Sequence, residues 1–270
     1  MAEDFAKLAP WMARWGLIAD GAPFRGPHTG NLLAPVRRGE TAAMLKVAFR
    51  PEEQLGGAVL AWWNGEGAAP VLACDGEALL MLRGAEDEGL VRMARDGRDG
   101  EATAILCAAT AALHRPRSTP PPEGLKTLAD QFRALRQAAA ADARFAPAWA
   151  IAAELLAAPR DPVVLHGDIH HRNLLDFGER GWLAIDGWGV VGERAYDYAN
   201  ILRNPDLETA LMPGRMAARL AQIAPLAELD PVRLGRWTVA HAFLSAAWCV
   251  EDGVDACDAL RIAEAARNLA

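Results

Sequence analysis

"VVLHGDIHHRNLLDFGERGWLAIDGWG", residues 163–189, carries the densest chemistry in the chain. Of six histidines in the protein, three are here: His166, His170 and His171. Aspartates bracket them at Asp168 and Asp186. An apolar run, Pro162 to Leu165, leads into the cluster, and Leu174-Leu175 leads out of it. "GWLAID" then ends a further apolar run at Asp186, followed by Gly187 and Gly189. Short apolar runs bounded by polar and glycine residues predict short strands around loops.

Residues 166–173 read H-x-D-x-x-x-x-N, and a strand-ending Asp follows. That spacing suits phosphoryl transfer: the first Asp orients or deprotonates an attacking hydroxyl, and the Asn five residues on curls back towards a metal ion. The second Asp holds the metal that bridges the phosphates. Two other readings compete. His166, Asp168, His170 and His171 are zinc-type ligands, although they are crowded and no HExxH helix accompanies them. Alternatively, these side chains only satisfy hydrogen bonds of the loop. A hydrolase or a P-loop enzyme is disfavoured, because neither G-x-S-x-G nor G-x-x-x-x-G-K-[ST] occurs. Phosphoryl transfer demands one thing more, a lysine on an N-terminal strand. "AAMLKVAF", residues 42–49, supplies Lys46, whose ammonium needs a partner if it is buried.

Around this centre the first 83 residues read as a small, mostly β lobe carrying one helix. Residues 4–19 have helical spacing of Phe5, Leu8, Trp11, Met12 and Trp15. After Pro27, Leu32–Val36 and Ala42–Phe49 form a hairpin across Arg37-Arg38-Gly39-Glu40. Pro51 starts a helix over 51–63 that Gly56-Gly57 interrupts, and Val71–Cys74 and Ala78–Leu82 are strands. Residues 84–270 read as a larger helical lobe. Helices are expected over 86–113, with a break at 96–100, then over 125–157, 194–202, 207–223 and 231–251, with Asp255 capping a last one. Residues 115–124 are a loop.

Composition limits the partners. In 270 residues, 52% hydrophobic content allows a sizeable core, and a net charge of −7 argues against nucleic acid while permitting a cationic small molecule. The alanine-rich stretch 137–158 is broken by charges and Pro147, so no membrane span is expected. No basic-then-apolar leader opens the chain. Cys74, Cys107, Cys249 and Cys257 form no CxxC pair and are expected as buried, reduced thiols of a cytoplasmic protein.

"LHGDIHHRNLLDFGERGWLAIDGWGVVGERAYDYANILRNP", residues 165–205, resembles the aminoglycoside phosphotransferase superfamily, and within it the streptomycin and hydroxyurea phosphotransferase branch. The likeness runs from "LLAPVRRGETAAMLKV" to "LSAAWCVEDG". It implies an α+β, two-lobed protein-kinase-like fold with ATP and Mg2+ in the cleft, residues 1–83 binding nucleotide and 84–270 binding substrate. It further implies Asp168 as catalytic base, Asn173 and Asp186 as magnesium ligands, and Lys46 on the α- and β-phosphates. Leu82 to Gly84 would be the hinge facing adenine. Asp197 and His166 would brace the catalytic loop.

Three departures from the branch stand out. The acid that pairs with the strand lysine falls near Gly56, leaving Glu52 or Glu53, one turn earlier, as substitutes. Gly187-Trp188 replaces a proline and a nearby lysine, and Arg172 replaces a common glycine. They motivate a second reading, a nucleotide-binding sensing module with little catalysis. On the acceptor side, "AFLSAAWCVEDGVDACD" offers Trp248, Glu251 and Asp252, with Asp255 and Asp258, as a pocket for a cationic acceptor. The same acids also suit a helix end and the cap of the next helix.

Overall fold

The structure is a computed structural model and describes residues 2–26, 30–85 and 88–269. Pro27 and the start of the expected 86–113 helix, Glu86 and Asp87, lie outside the described residues.

The N-terminal sheet contains β1 (Ile18–Ala19), β2 (Phe24–Arg25), β3 (Leu32–Arg38), β4 (Thr41–Val47), β5 (Val71–Asp75) and β6 (Ala78–Leu82). Its order is β1-β3-β4-β6-β5, with β2 also on β3 and all pairings antiparallel. The strand period of two sorts each strand between two faces. Leu32, Ala34, Val36, Ala43, Leu45, Val47, Ala78 and Leu80 face one core, closed by Leu8 of α1 (Ala2–Trp15). Met44, Leu79 and Met81 face the other, with Val59, Leu60 and Trp63 of α2 (Pro51–Trp63). The sheet therefore carries two helices, one per face, at the two stretches read as helical, 4–19 and 51–63. The first ends at Trp15, short of residue 19, because Ile18–Ala19 pairs with β3. Gly56-Gly57 does not interrupt α2, and both glycines are buried within it.

Helices α3 (Gly89–Arg95) and α4 (Asp99–Leu113) flank the break expected near residue 96. The stretch expected as one helix over 125–157 is instead β7 (Lys126–Thr127), α5 (Leu128–Gln131), α6 (Arg133–Ala141) and α7 (Ala146–Ala157). Asp142 splits the last two: its carboxylate accepts the Arg144 N–H at 2.9 Å, a local turn that competes with the helix. The loop segments then form β8 (Pro162–Leu165), β9 (Leu174–Asp176), β10 (Trp182–Ala184) and β11 (Val190–Glu193). β9 and β10 make a hairpin, and β7-β11-β8 a second small sheet.

Next come α8 (Ala195–Leu202), α9 (Leu207–Ala210), α10 (Arg215–Leu226), α11 (Pro231–Glu251) and α12 (Cys257–Ala266). The expected 207–223 helix is divided by Pro213-Gly214, with Gly214 at φ 75. α11 is the axis of this half, packed against α6, α7, α8 and α12. One core runs from Met44 and Trp63 through to Trp237 and Phe243, so the sheet and the helical part share apolar packing. A backbone seam joins them as well: Ala69 N–H donates to Ala184 O at 2.8 Å, and Ala184 N–H to Gly67 O at 2.9 Å.

No described helix is long and apolar enough to cross a membrane. All four cysteines are free, but only Cys107 is fully buried, and burial pushes its thiol up to about 12. Cys74 and Cys257 are exposed, contrary to expectation. Cys74 sits on the edge strand β5, and Cys257 in the first turn of the outer helix α12.

Candidate active site

Lys46 lies on β4 between Leu33 and Leu79, on the face that looks towards α2. It is 7% exposed, so its charge needs partners. Glu53 of α2 is 2.9 Å from Nζ, and the Asp186 carboxylate is in contact with it. Asn31 Nδ2 donates to the same Glu53 oxygen at 2.8 Å. Burial works against the ammonium, but the two carboxylates outweigh it and raise the Lys46 pKa above its ordinary value.

Gly56, where an acid was expected, has no room for one. A Cβ there would lie 1.9 Å from the carbonyl oxygen of Gly187. A Cβ on Gly187 would in turn lie 2.9 Å from the Trp63 ring. The Gly56 and Gly187 departures are therefore one feature, a backbone contact between α2 and the Asp186 turn. Glu53, one turn earlier, provides the acid.

The loop of residues 166–173 is fixed from below. Asp197, at the start of α8, is fully buried and accepts from His166 N (2.9 Å), Gly167 N (2.9 Å) and His114 Nε2 (2.8 Å). His166 Nδ1 receives the Asp168 N–H at 3.2 Å, and its Nε2 contacts Ile185 O at 2.7 Å. Those partners select the neutral ring with the proton on Nε2, and burial lowers its pKa in agreement. Trp63 stacks on this ring at 6.1 Å and 8°. The hydrogen bonds expected of Asp197 and His166 are thus present.

Asp168 lies above this base. Its Oδ1 accepts from Asn200 Nδ2 at 2.9 Å, and its Oδ2 is 3.5 Å from His170 Nε2. Burial opposes its ionisation, but His170 and the Arg203 guanidinium more than compensate and hold it down at about 2. Arg203 is itself held by His241 Nδ1 (3.1 Å) and Ser245 Oγ (3.2 Å) of α11. Asn173 Nδ2 donates to Asp168 O at 2.9 Å, and Ile185 N donates to Asn173 O at 2.9 Å. The β9–β10 hairpin therefore brings Asn173 to the strand end that carries Asp186. Asp186 sits at φ 64, a left-handed conformation uncommon outside glycine. Sequence reading missed Asn200, Arg203 and the choice of Glu53. Only "DYANILR", on the helix after Asp197, hinted at the first two.

The family described as aminoglycoside/hydroxyurea antibiotic resistance kinase matches residues 14–253. The chain belongs to that family. It is 49% identical over 247 residues to the streptomycin 3''-kinase of Klebsiella pneumoniae, covering 90% of this chain and 92% of that one. It is 34% identical over 273 residues to the streptomycin 6-kinase of Streptomyces glaucescens, covering 94% and 86%. A solved amicoumacin kinase in complex with AMP-PNP, Ca2+ and Ami superposes with a TM-score of 0.62 at 12% identity, covering 97% and 92%. The fold is the two-lobed protein-kinase-like one, and the chain is a small-molecule kinase.

The remaining expected positions of this resistance kinase divide. The Leu82 N–H donates to Pro70 O at 2.9 Å, and the Arg83 N–H to Ala42 O at 3.3 Å. Gly84 is tight against β9, where a Cβ would lie 2.8 Å from that of Leu175. Arg172 turns outward to Glu88 (2.8 Å) and Pro205 O (2.8 Å). The zinc-type set is not assembled. His171 is buried against Arg219 while His166 and His170 point elsewhere, and no three such ligands converge among the described residues. Trp248 and Glu251 line a groove of about 410 Å³ with Lys126, Asp130 and Arg133. Asp252 does not line it: it caps α11, with its N–H on Trp248 O at 2.9 Å. Asp255 accepts from Cys257 N at 2.9 Å, and Asp258 is 3.5 Å from Arg261.

Proposed function

We propose that this kinase transfers the γ-phosphoryl group of ATP, with magnesium, to a hydroxyl of an aminoglycoside of the streptomycin kind, in the cytoplasm. Residues 1–83 would hold the nucleotide, and 84–270 the catalytic and acceptor groups. The observation that carries the reading is that Lys46 meets Glu53 of its own lobe and, across the lobes, Asp186, on the turn that Asn173 ties to Asp168.

In this reading Glu53 aims the Lys46 ammonium at the α- and β-phosphates. The backbone of Leu82 to Gly84 borders the adenine. Asn173 and Asp186 suit magnesium, which is commonly held by one or two protein oxygens plus substrate phosphates. When bound, magnesium would neutralise charge on the phosphates. Asp168 is ionised far below neutral pH, so it is a weak base. Its main task is to accept a hydrogen bond from the acceptor hydroxyl and aim the oxygen, with Asn200 fixing its orientation. The two streptomycin kinases and the nucleotide-bound amicoumacin kinase support the choice of acceptor and donor.

The test is ATP consumption by purified protein against streptomycin, other amino sugars, hydroxyurea and amino alcohols, with and without magnesium. Streptomycin should give magnesium-dependent consumption and a phosphorylated product by mass spectrometry. Consumption at background with every acceptor would sink the reading.

A further inference from the structure

Two tryptophans from distant parts of the chain meet beside Asp168. Trp188 follows the Asp186 turn, and Trp248 lies in the last turn of α11. Their ring centroids are 5.5 Å apart, with 38° between the planes. The Trp188 N–H donates to His166 O at 2.8 Å, which fixes the backbone from which the indole projects. A Cβ on Gly167 would lie 3.0 Å from the Trp188 Cβ, so this side chain starts against the residue that precedes Asp168. Yet Trp188 is 36% exposed, unlike the buried Trp63 and Trp237.

Trp248 continues the surface away from the loop. Its ring meets His241, the residue that holds Arg203, edge-on at 6.5 Å and 85°. It is also a wall of the groove that contains Glu251. The other charges of that groove are partly committed: Lys126 Nζ is 3.0 Å from Glu52, and Asp130 accepts from Thr127 Oγ1 at 2.7 Å. Glu251 is exposed and makes no ion pair among the described residues. An aromatic surface thus runs from the groove to the loop that carries Asp168, with a carboxylate at its far end. Indole is the strongest aromatic receiver of a cation, and a carboxylate adds a charge-assisted bond.

We propose that Trp188 and Trp248 form the acceptor platform. A guanidino or amino group of the acceptor lies on the indoles with Glu251 as counter-charge, and this sets the hydroxyl at Asp168. The inference rests on the phosphotransfer reading for its acceptor, but it can fail independently of it.

The experiment has two arms. In the first, streptomycin is titrated into the protein without ATP and binding is read by calorimetry. The parent should show saturable binding that is lost in Trp188→Ala and in Trp248→Ala and largely retained in the Phe variants. Parent binding without that dependence, or no binding at all, overturns the platform, whatever the turnover assay gives. In the second arm, turnover of the same variants should show the acceptor KM raised at least tenfold and the ATP KM within threefold. Phe at either position should restore most of the loss, which separates a ring surface from mere packing. An unchanged acceptor KM in folded Ala variants, checked by circular dichroism, overturns the proposal. Failure of phosphotransfer alone would appear as a parent that binds streptomycin through the indoles yet consumes no ATP.

Discussion

Asp197 and Asp186 sit on the two walls of the same cleft and are built oppositely. Asp197 is fully buried and takes three donors, two of them backbone N–H groups of the loop before Asp168. Asp186 is 44% exposed on its side chain, stands at a left-handed φ, and meets the Lys46 ammonium across the lobes. The wall proposed for the acceptor is set by hydrogen bonds internal to the fold. The donor wall depends on an ion-pair cluster, Glu53, Lys46 and Asp186, whose charges match what a nucleotide and its metal would bring. Under the proposed function, rigid geometry would aim the nucleophile, while exchangeable charge would receive the phosphates.

The largest effect should come from Asp168→Ala, with kcat falling by about 10²–10⁴-fold while calorimetry shows ATP binding retained. Turnover equal to the parent would remove Asp168 from the reaction. Asp197→Ala should cost about 3 kcal/mol or more in urea unfolding, because three donors lose their acceptor at about 1–3 kcal/mol each. A loss below about 0.5 kcal/mol would break the contrast between the walls, since surface-like changes have that size. Gly56→Ala drives a methyl into the Gly187 carbonyl. It should lose about 1–3 kcal/mol of stability and weaken ATP binding by calorimetry.

Glu53→Gln should raise the ATP KM roughly tenfold, about 1.4 kcal/mol, with the acceptor KM little changed. An unchanged ATP KM would show that the Lys46–Glu53 contact does not serve the donor side. The smallest effect concerns pH. The Asp168 carboxyl is held at about 2, against an ordinary 3.8, so folding favours its charged form. The parent should therefore be more stable than Asp168→Asn at pH 6. That advantage should be complete above about pH 4 and disappear as pH falls towards 2. A difference that is flat with pH would contradict the sign.

Each wall was partly legible. On one, H-x-D-x-x-x-x-N is local in sequence and its residue types are chemically specific. On the other, Lys46 announces itself as a charge in an apolar strand, but its surroundings do not. Gly56 reads as a weak point in a helix, and nothing near it in sequence says that the Gly187 carbonyl rests there. Glu53 could be chosen over Glu52 only once α2 was docked, since Glu52 pairs instead with Lys126 at 3.0 Å. Asn200 and Arg203 were hidden because they act on Asp168 from more than thirty residues away in sequence, through tertiary packing. The splits at Asp142 and at Pro213-Gly214 were written in turn-forming residues that long apolar periodicity masked.

The bare contact between Gly56 and Gly187 gives the cleft a doorstop. Side chains can flex and re-pack, but two peptide backbones in touch have nothing left to compress. The distance at which α2 meets the aspartate turn is therefore a gauge cut in main chain, and the lysine touches that turn beside it.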